Sequence, residues 1–252
     1  MVGIYMSGTG NTKHCTEKLL SLLDGNAKAV PIEDDSARTE IENNDVIFLA
    51  YPTHYSNVPY MVREFIENNK DVWKDKKVFC IATMGLFSGD GAGCSARLLE
   101  KYGARILGGL HIVMPDSIGD CKMLKRPDEE KRSMIARADK KLCQAAADIK
   151  AGKYPREGLG FIPHISGLFG QRLWFSGKTK GYSDKLKISN SCVGCGLCEK
   201  LCPMKNISVI NGRAVSAGKC AMCYRCINSC PQKAITLVGK EVFEQYRFEN
   251  YA

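Results

Sequence analysis

The chain of 252 residues has no apolar run approaching the roughly 18–20 residues that a membrane-spanning helix needs. It also has no basic leader with a cleavage site, because its first six residues run directly into a strand-like segment. We therefore expect neither an integral membrane protein nor a secreted one, and a cytoplasmic location is predicted. With 44% hydrophobic residues the chain is too apolar to be disordered. Its length predicts one or two domains.

Cysteine and positive charge are abundant but unevenly distributed. Residues 1–150 contain 21 basic and 21 acidic residues and five of the 13 cysteines. Residues 151–252 contain 15 basic and 6 acidic residues, which accounts for the whole net charge of +9, and the other eight cysteines. This break predicts two modules. In a reducing compartment the cysteines are expected to bind metal rather than to form disulfides.

The first 150 residues alternate short apolar runs with segments of helical periodicity. The runs are read as strands over 2–6, 45–50, 78–82 and 106–114, and helices are read over 13–23, 60–68, 94–102 and 129–149. This alternation predicts an α/β doubly wound parallel sheet covered on both faces. Ligands of such folds bind beyond the carboxyl ends of the strands, so the loops after the strands are the candidate site.

The loop after the first strand is rich in glycine and hydroxyl groups. Two glycines let the backbone of the segment from Ser7 to Thr12 bend around an anion, at the start of the following helix. The loop lacks the Gly-Lys-Ser/Thr ending of a Walker loop and the glycine spacing of a dinucleotide site. It predicts a phosphate site, and the alternative is a tight turn with a hydroxyl cap.

Two further loops have the composition of a site for a flat aromatic cofactor. The segment from Tyr51 to Pro59 places aromatic side chains between prolines. The segment from Thr83 to Gly93 combines a flexible glycine-rich backbone with Phe87 and the acceptor Asp90. Aromatic faces and free backbone amides are what the ring of such a cofactor needs.

On these loops the chain resembles the flavodoxin family over about 150 residues, most specifically in the Ser-Gly-Thr-Gly-Asn-Thr segment that begins at Ser7. The resemblance implies a five-stranded flavodoxin-like sheet that binds flavin mononucleotide (FMN). The phosphate would be held by Ser7, Gly8, Thr9, Gly10, Asn11 and Thr12. The ring would be flanked by Pro52, Thr53, His54, Tyr55, Ser56 and Asn57, and its pyrimidine side lined by Thr83, Met84, Gly85, Phe87, Gly89, Asp90 and Gly91. Unlike better-known flavodoxins, the chain has no Trp in the second loop and no acidic surface at the cofactor end, so either Tyr55 or Phe87 could stack on the ring.

The cysteines of the second module form an internal repeat. Cys192, Cys195, Cys198 and Cys202 are followed at an offset of 28 by Cys220, Cys223, Cys226 and Cys230, with a proline after the last cysteine of each half. This spacing is that of bacterial ferredoxins with two [4Fe–4S] clusters, in which the fourth cysteine of each run binds the other cluster. One cluster is predicted on Cys192, Cys195, Cys198 and Cys230, and the other on Cys220, Cys223, Cys226 and Cys202. The weaker alternative is a pair of zinc sites, which would not need the third cysteine or the Cys-Pro ending.

The predicted organisation has four parts. A flavodoxin-like domain spans 1–150, a connector 151–186, a small α+β ferredoxin domain 187–238 and a C-terminal tail 239–252. The connector carries apolar residues such as Ile165, Leu168 and Trp174 among basic ones, so it is expected to pack on the first domain rather than to act as a flexible tether. The less favoured alternative is a segment lying on a membrane surface.

The combined pattern resembles the flavodoxin–ferredoxin fusion proteins of anaerobic microbes and implies electron transfer. The function predicted first is transfer between the clusters and FMN, with no catalytic residue assigned. The alternative is an FMN-dependent reductase of a small organic substrate, whose pocket Asp116, Asp120 and Cys121 could border.

The partners predicted for this function are redox proteins, either an acidic ferredoxin or a reductase, and not nucleic acid. A homodimer stays among the alternatives. Two clusters and a flavin phosphate would lower the net charge from +9 to about +3, leaving a basic second half to face an acidic partner.

Overall fold

A computed structural model describes residues 1–160 and 185–251 of the chain. The first module alternates strands and helices as the apolar periodicity predicts. Its strands are β1 (Val2–Tyr5), β2 (Lys28–Pro31), β3 (Val46–Pro52), β4 (Lys77–Met84) and β5 (Arg105–Val113). Its helices are α1 (Asn11–Leu23), α2 (Ala37–Glu42), α3 (Tyr60–Asn68), α4 (Gly91–Glu100) and α5 (Asp128–Lys150), with 3-10 turns at Lys70–Trp73 and Lys122–Leu124.

The five strands form one sheet in the order β2-β1-β3-β4-β5, and every neighbouring pair is parallel. The predicted doubly wound α/β fold is confirmed. The edge strand β2 was not among the strands read from the sequence, because its four residues form no continuous apolar run. Apart from β2 and the short α2, the elements of the sheet lie close to their predicted ranges.

Both faces of the sheet are buried, which explains why its central strands are apolar without alternation. One face packs under α3 and α4 and includes Ile47, Leu49 and Trp73. The other packs under α1 and α5 and includes Phe48 and Phe79. The loops after β1, β3, β4 and β5 consequently meet at the carboxyl edge of the sheet.

The second module contains two short antiparallel ladders and two one-turn helices. The ladders pair β6 (Lys187–Ile188) with β9 (Ile235–Thr236) and β7 (Ile207–Ile210) with β8 (Arg213–Ser216). The helices are α6 (Leu197–Leu201) and α7 (Arg225–Ser229). A small core of its own includes Ile207, Ile227 and Ile235, and the α+β class predicted for this module is confirmed.

The sequence repeat is also a repeat of backbone geometry. Residues at matching offsets take left-handed φ values: 65° at Gly194 and 56° at Met222, then 76° at Gly196 and 59° at Tyr224. These pairs precede α6 and α7, so each half turns into its helix in the same way. The two halves differ in side chain at these positions but not in backbone conformation.

Segments at the ends of the second module pack back on the first. Arg156 forms a parallel bridge to Gly109 of β5, so the chain after α5 follows the edge of the sheet. The described residues of the predicted tail 239–252 pack on the first module. Tyr246 is 1% exposed, and the ring of Phe248 stacks on His14 with their centroids 4.2 Å apart. The connector residues Ile165, Leu168 and Trp174 lie outside the described residues. In the described ranges, no helix is long and apolar enough to cross a lipid bilayer.

Candidate functional site

A cavity of about 320 Å³ opens at the carboxyl edge of the sheet, where the strand loops converge. This volume is at the lower end of the range for small-molecule sites. The predicted cofactor residues that line it are Ser7, Gly8, Thr9, Asn11, Thr12, Pro52, Thr53, His54, Tyr55, Thr83, Met84, Gly85 and Phe87. All three predicted loops therefore contribute to a single site.

The loop between β1 and α1 has the features of an anion site. The Ser7 hydroxyl is buried, and in the part of the chain that the structure describes it has no hydrogen-bond partner. Gly10 precedes α1 with φ 99°, and among the described residues no side-chain hydrogen bond caps the start of the helix. An unpaired buried hydroxyl beside free helix amides fits a phosphate group. The Asn11 side chain is occupied, because it donates to the carbonyl of Pro115 and accepts from Tyr246.

The loop after β3 contributes its first half to the cavity. Thr53, His54 and Tyr55 line it, whereas Ser56 and Asn57 do not, because a backbone pairing between His54 and Asn57 folds the loop back. Burial lowers the pKa of His54 to about 4, so a neutral imidazole faces the cavity near pH 7. Tyr55 has φ 50°, a strained value that this tight turn imposes.

The loop after β4 divides in the same way. Residues up to Phe87 line the cavity, while Gly89, Asp90 and Gly91 turn away to begin α4. Asp90 is completely buried and forms an ion pair with Arg97 of that helix. Its predicted role as a ring-binding acceptor is not supported by this placement, and it instead anchors the end of the loop.

The loop after β5 completes the side of the cavity that belongs to the first module. It contributes Met114, Pro115, Asp116, Ser117, Ile118 and Leu124. Of the residues suggested to border a substrate pocket, Asp116 lines the cavity, whereas Asp120 and Cys121 do not. Burial raises the pKa of the Asp116 carboxyl, which lies beside Gly85. Asp120 is buried and accepts hydrogen bonds from Tyr224 and from the amides of residues 237–239.

The last wall comes from the second module and was not foreseen from the sequence. Met222, Cys223 and Tyr224 line the same cavity as the loops of the sheet. The signal that could have revealed them is the repeat itself, because the first half has Gly194 and Gly196 where the second has Met222 and Tyr224.

The eight repeat cysteines gather into two groups around separate cavities. One cavity is lined by Cys192, Cys195, Cys198 and Cys230, and the other by Cys202, Cys220, Cys223 and Cys226. Each group takes three cysteines from one half and the fourth from the other, as the spacing predicts. We call the first group the outer site and the second the inner site.

The surroundings of the thiols suit iron–sulfur clusters. Backbone amides donate to sulfur at matching positions of the two halves, from Asn206 to Cys202 and from Ala234 to Cys230, both at 3.3 Å. Such bonds stabilise thiolates that hold a cluster. Within 1–160 and 185–251, no group of three or more Cys, His, Asp or Glu side chains could hold a single metal ion. A [4Fe–4S] cubane would instead be held by all four cysteines that line one cavity.

The two sites differ in exposure. Cys195 of the outer site is exposed, whereas Cys226 of the inner site is buried. Burial raises the pKa of Cys220 in the inner site to about 11. Amide hydrogen bonds from Ala214 and Gly194 lower the pKa of Cys192 in the outer site. The inner site is thus the drier of the two.

The inner site packs directly against the loop between β1 and α1, which we call the phosphate loop. A Cβ built on Gly8 would overlap the carbonyl oxygen of Cys223, so the two backbones are in contact. The Arg225 guanidinium donates to the Ser7 carbonyl at 2.8 Å and to the Glu33 carboxylate at 2.6 Å. From the tail, the amide of Phe248 donates to the carbonyl of Thr9.

Comparisons with known proteins match each module separately. A family model described as a flavodoxin domain matches residues 3–105, and one described as a 4Fe–4S binding domain matches residues 187–208. The second match ends before the second half of the repeat begins. No curated protein sequence shows significant similarity to the chain.

Among solved structures, the chain is similar to flavodoxins. The two-electron reduced flavodoxin of Megasphaera elsdenii is 25% identical, over 59% of this chain and 99% of that one, with a TM-score of 0.44. A Fusobacterium nucleatum flavodoxin bound to flavin mononucleotide is 16% identical, over 60% of this chain and 98% of that one, with a TM-score of 0.41.

Proposed function

We propose that this chain, in which a flavodoxin domain is joined to a 4Fe–4S-binding domain, passes electrons between two [4Fe–4S] clusters and one FMN. The two domains together support a flavin and iron–sulfur electron-transfer protein. When bound, the clusters exchange single electrons, while a flavin can hold one or two. The single observation that carries the proposal is that the inner site and the candidate flavin cavity share Cys223.

The protein contributes fixed positions rather than acid–base chemistry. Cys223 supplies a thiol to the inner site, and its backbone touches Gly8 of the phosphate loop. The bond from Arg225 to Glu33 ties the two modules at this point. Because both candidate cofactor sites are built on one continuous interface, their separation does not depend on a flexible tether.

The dimensions of the cavity favour a carrier over the alternative reductase. About 320 Å³ is close to the minimum for a small-molecule site, so a bound FMN would leave little room for an organic substrate. His54 and Asp116 are candidate proton donors or acceptors in the cavity wall, and burial shifts the pKa of each toward its neutral form, but a bound FMN would leave little room for a substrate beside them. We therefore assign no catalytic residue.

The outer site is where we propose that a small acidic electron-carrier protein docks. Beside the exposed Cys195, Val193 and Leu197 are 62% and 36% exposed. A neighbouring groove of about 450 Å³ gathers the lysines Lys187, Lys233 and Lys240. Residues 185–241 contain nine basic and two acidic residues, so an acidic carrier would be attracted to this end of the molecule.

Removing single cysteines tests the cluster assignment and the route together. The full chain, reconstituted anaerobically, is expected to hold about eight irons and one FMN. Cys195→Ser and Cys230→Ser should each lose the outer cluster and give the same residual electron-spin resonance spectrum, since both residues belong to one site. Cys143→Ser, which changes an exposed cysteine outside the repeat, is the matched control.

Two results would contradict the proposal. If Cys195→Ser and Cys230→Ser leave different clusters, the crossed ligation is wrong. If the wild type holds zinc, or holds no flavin, the electron-transfer function itself is wrong.

A further inference from the structure

The second half of the repeat has strained backbone conformations at two positions where the first half has glycine. At the two left-handed positions before its helix, the first half uses Gly194 and Gly196, which adopt such φ values freely. The second half uses Met222 and Tyr224 at φ 56° and 59°. Side chains at left-handed positions are strained and persist where the surroundings hold them for a reason.

Both strained side chains point to the same place. Met222 is 6% exposed and Tyr224 is 4% exposed, and both line the candidate flavin cavity. The Tyr224 hydroxyl donates to Asp120 at 3.0 Å, and the other oxygen of Asp120 accepts the amides of residues 237–239. The tyrosine ring is therefore fixed from behind by a buried carboxylate that is itself fully bonded.

We propose that Met222 and Tyr224 are flavin-binding residues, so that the FMN site is built by both modules. This inference rests on the proposed function, because it assumes that the cavity takes FMN. A thioether and a phenol ring both pack well against a flat aromatic ring system. Gly194 and Gly196 line the cavity of the outer site instead, and a Cβ on Gly194 would overlap the Gly212 carbonyl.

The test is an FMN titration of the flavin-free full chain with its clusters in place, followed by quenching of flavin fluorescence. Met222→Gly restores the residue of the first half and relaxes the backbone, yet it should weaken FMN binding by about tenfold or more, because a buried apolar side chain is lost. Tyr224→Leu should have a similar effect, whereas Tyr224→Phe keeps the ring and should stay within about threefold of the wild type.

Asn211→Gly is the matched control, because Asn211 has φ 49° in the turn between β7 and β8, outside the cavity. It relieves the same kind of strain and should leave FMN affinity unchanged. The visible absorbance of the clusters reports whether each variant is folded. If Met222→Gly loses its clusters, Met222→Asn decides, since Asn tolerates a left-handed φ while replacing the thioether with an amide.

The two possible failures are distinguishable. If the wild type binds FMN, and Met222→Gly (or Met222→Asn) and Tyr224→Leu bind it equally well, the inference is wrong. Met222 and Tyr224 would then only fill the interface between the modules. If the wild type binds no FMN at all, the proposed function fails together with the inference.

Discussion

The two halves of the cysteine repeat have the same spacing and backbone but different surroundings. The outer site has an exposed cysteine, glycines at its left-handed positions and exposed Val193 and Leu197 nearby. The inner site has a buried Cys226, bulky residues at those positions and Arg225 where the outer half has Leu197. Features shared by the halves are those that hold a cluster.

The features that differ between the halves are those that join the modules. Arg225 pairs with Glu33, and Met222 and Tyr224 close the candidate flavin cavity. Nothing in the cysteine spacing requires these three residues. The two halves of the cysteine repeat are therefore asymmetric, with one half packed against the flavodoxin domain and the other more exposed to solvent.

The largest effect is expected for Gly8→Ala. The added methyl group would overlap the backbone carbonyl of Cys223, and neither backbone can move without separating the inner site from the phosphate loop. Forcing extra volume into such a contact costs about 1–3 kcal/mol or more. FMN affinity, measured by fluorescence, should fall by at least about tenfold.

Two other glycine-to-alanine variants serve as controls for Gly8→Ala. Gly25→Ala adds a methyl group where no atom lies within 4 Å and should change nothing. Gly194→Ala meets the carbonyl of Gly212 at φ +65° and should damage only the outer cluster. Equal loss of FMN in Gly8→Ala and Gly194→Ala would show that the inner half is not the one docked on the flavin module.

A smaller effect is expected for Arg225→Leu, which gives the inner half the residue of the outer half. It leaves the part-buried Glu33 carboxylate without its cation and the Ser7 carbonyl without a donor. Because both side chains are partly exposed, removing one member of the pair should lower the free energy of unfolding by about 1 kcal/mol.

Denaturant unfolding of Arg225→Leu, Glu33→Gln and the double variant would measure this coupling. Arg213→Leu is the control, since Arg213 is exposed and its guanidinium donates to the Ile188 carbonyl within the second module. Additive effects of the two changes would mean that the ion pair does not join the modules.

The burial of His54 in the wall of the candidate flavin cavity predicts that stability depends on pH. Burial lowers the pKa of His54 to about 4, from 6.5. Between these values the unfolded state binds more protons, so stability is present above pH 6.5 and is lost as the pH falls toward 4. The loss should be on the order of 1 kcal/mol, allowing for partial exposure.

His54→Gln should flatten the stability profile of the flavin-free protein in this range. Some slope will remain, because burial also lowers the pKa of His111. Parallel profiles for His54→Gln and the wild type would mean that His54 stays hydrated and that the cavity wall is wet.

The smallest effect is expected at the outer surface. Lys240→Gln in the lysine groove should slow reduction by an acidic ferredoxin about twofold at low salt and hardly at all at high salt, because exposed charges are screened. Lys150→Gln, at the end of α5, is the control. A rate that ignores salt in the wild type would argue against an acidic partner.

Much of this organisation was predictable from sequence because its signals are local. The cysteine spacing, the hydroxyl-rich loop from Ser7 to Thr12 and the buried strands each follow from residue type and period. The cysteine groups around the two cavities match the predicted crossed sets, and all three predicted loops reach one cavity.

What was missed depends on contacts between distant segments. The strand β2 is four residues long and needs β1 beside it to be recognised. Tyr246 was assigned to a tail, yet it is buried against Asn11 across the module boundary. Met222 and Tyr224 differ from Gly194 and Gly196 of the first half, but the fold is needed to place them at the cavity. The sequence predicts that Asp90 faces the flavin, whereas in the structure it is buried and forms an ion pair with Arg97.

An anaerobic reductive titration followed by visible and electron-spin resonance spectra would show whether one chain carries two clusters and a flavin in electronic contact. We expect an uptake of roughly four electrons per chain, one for each cluster and two for FMN. We also expect Cys223→Ser, which removes the ligand shared by the inner site and the cavity, to slow flavin reduction by a ferredoxin donor. Uptake of two electrons or fewer, or flavin reduction at the wild-type rate in Cys223→Ser, would show that the clusters and the flavin are not connected in this way.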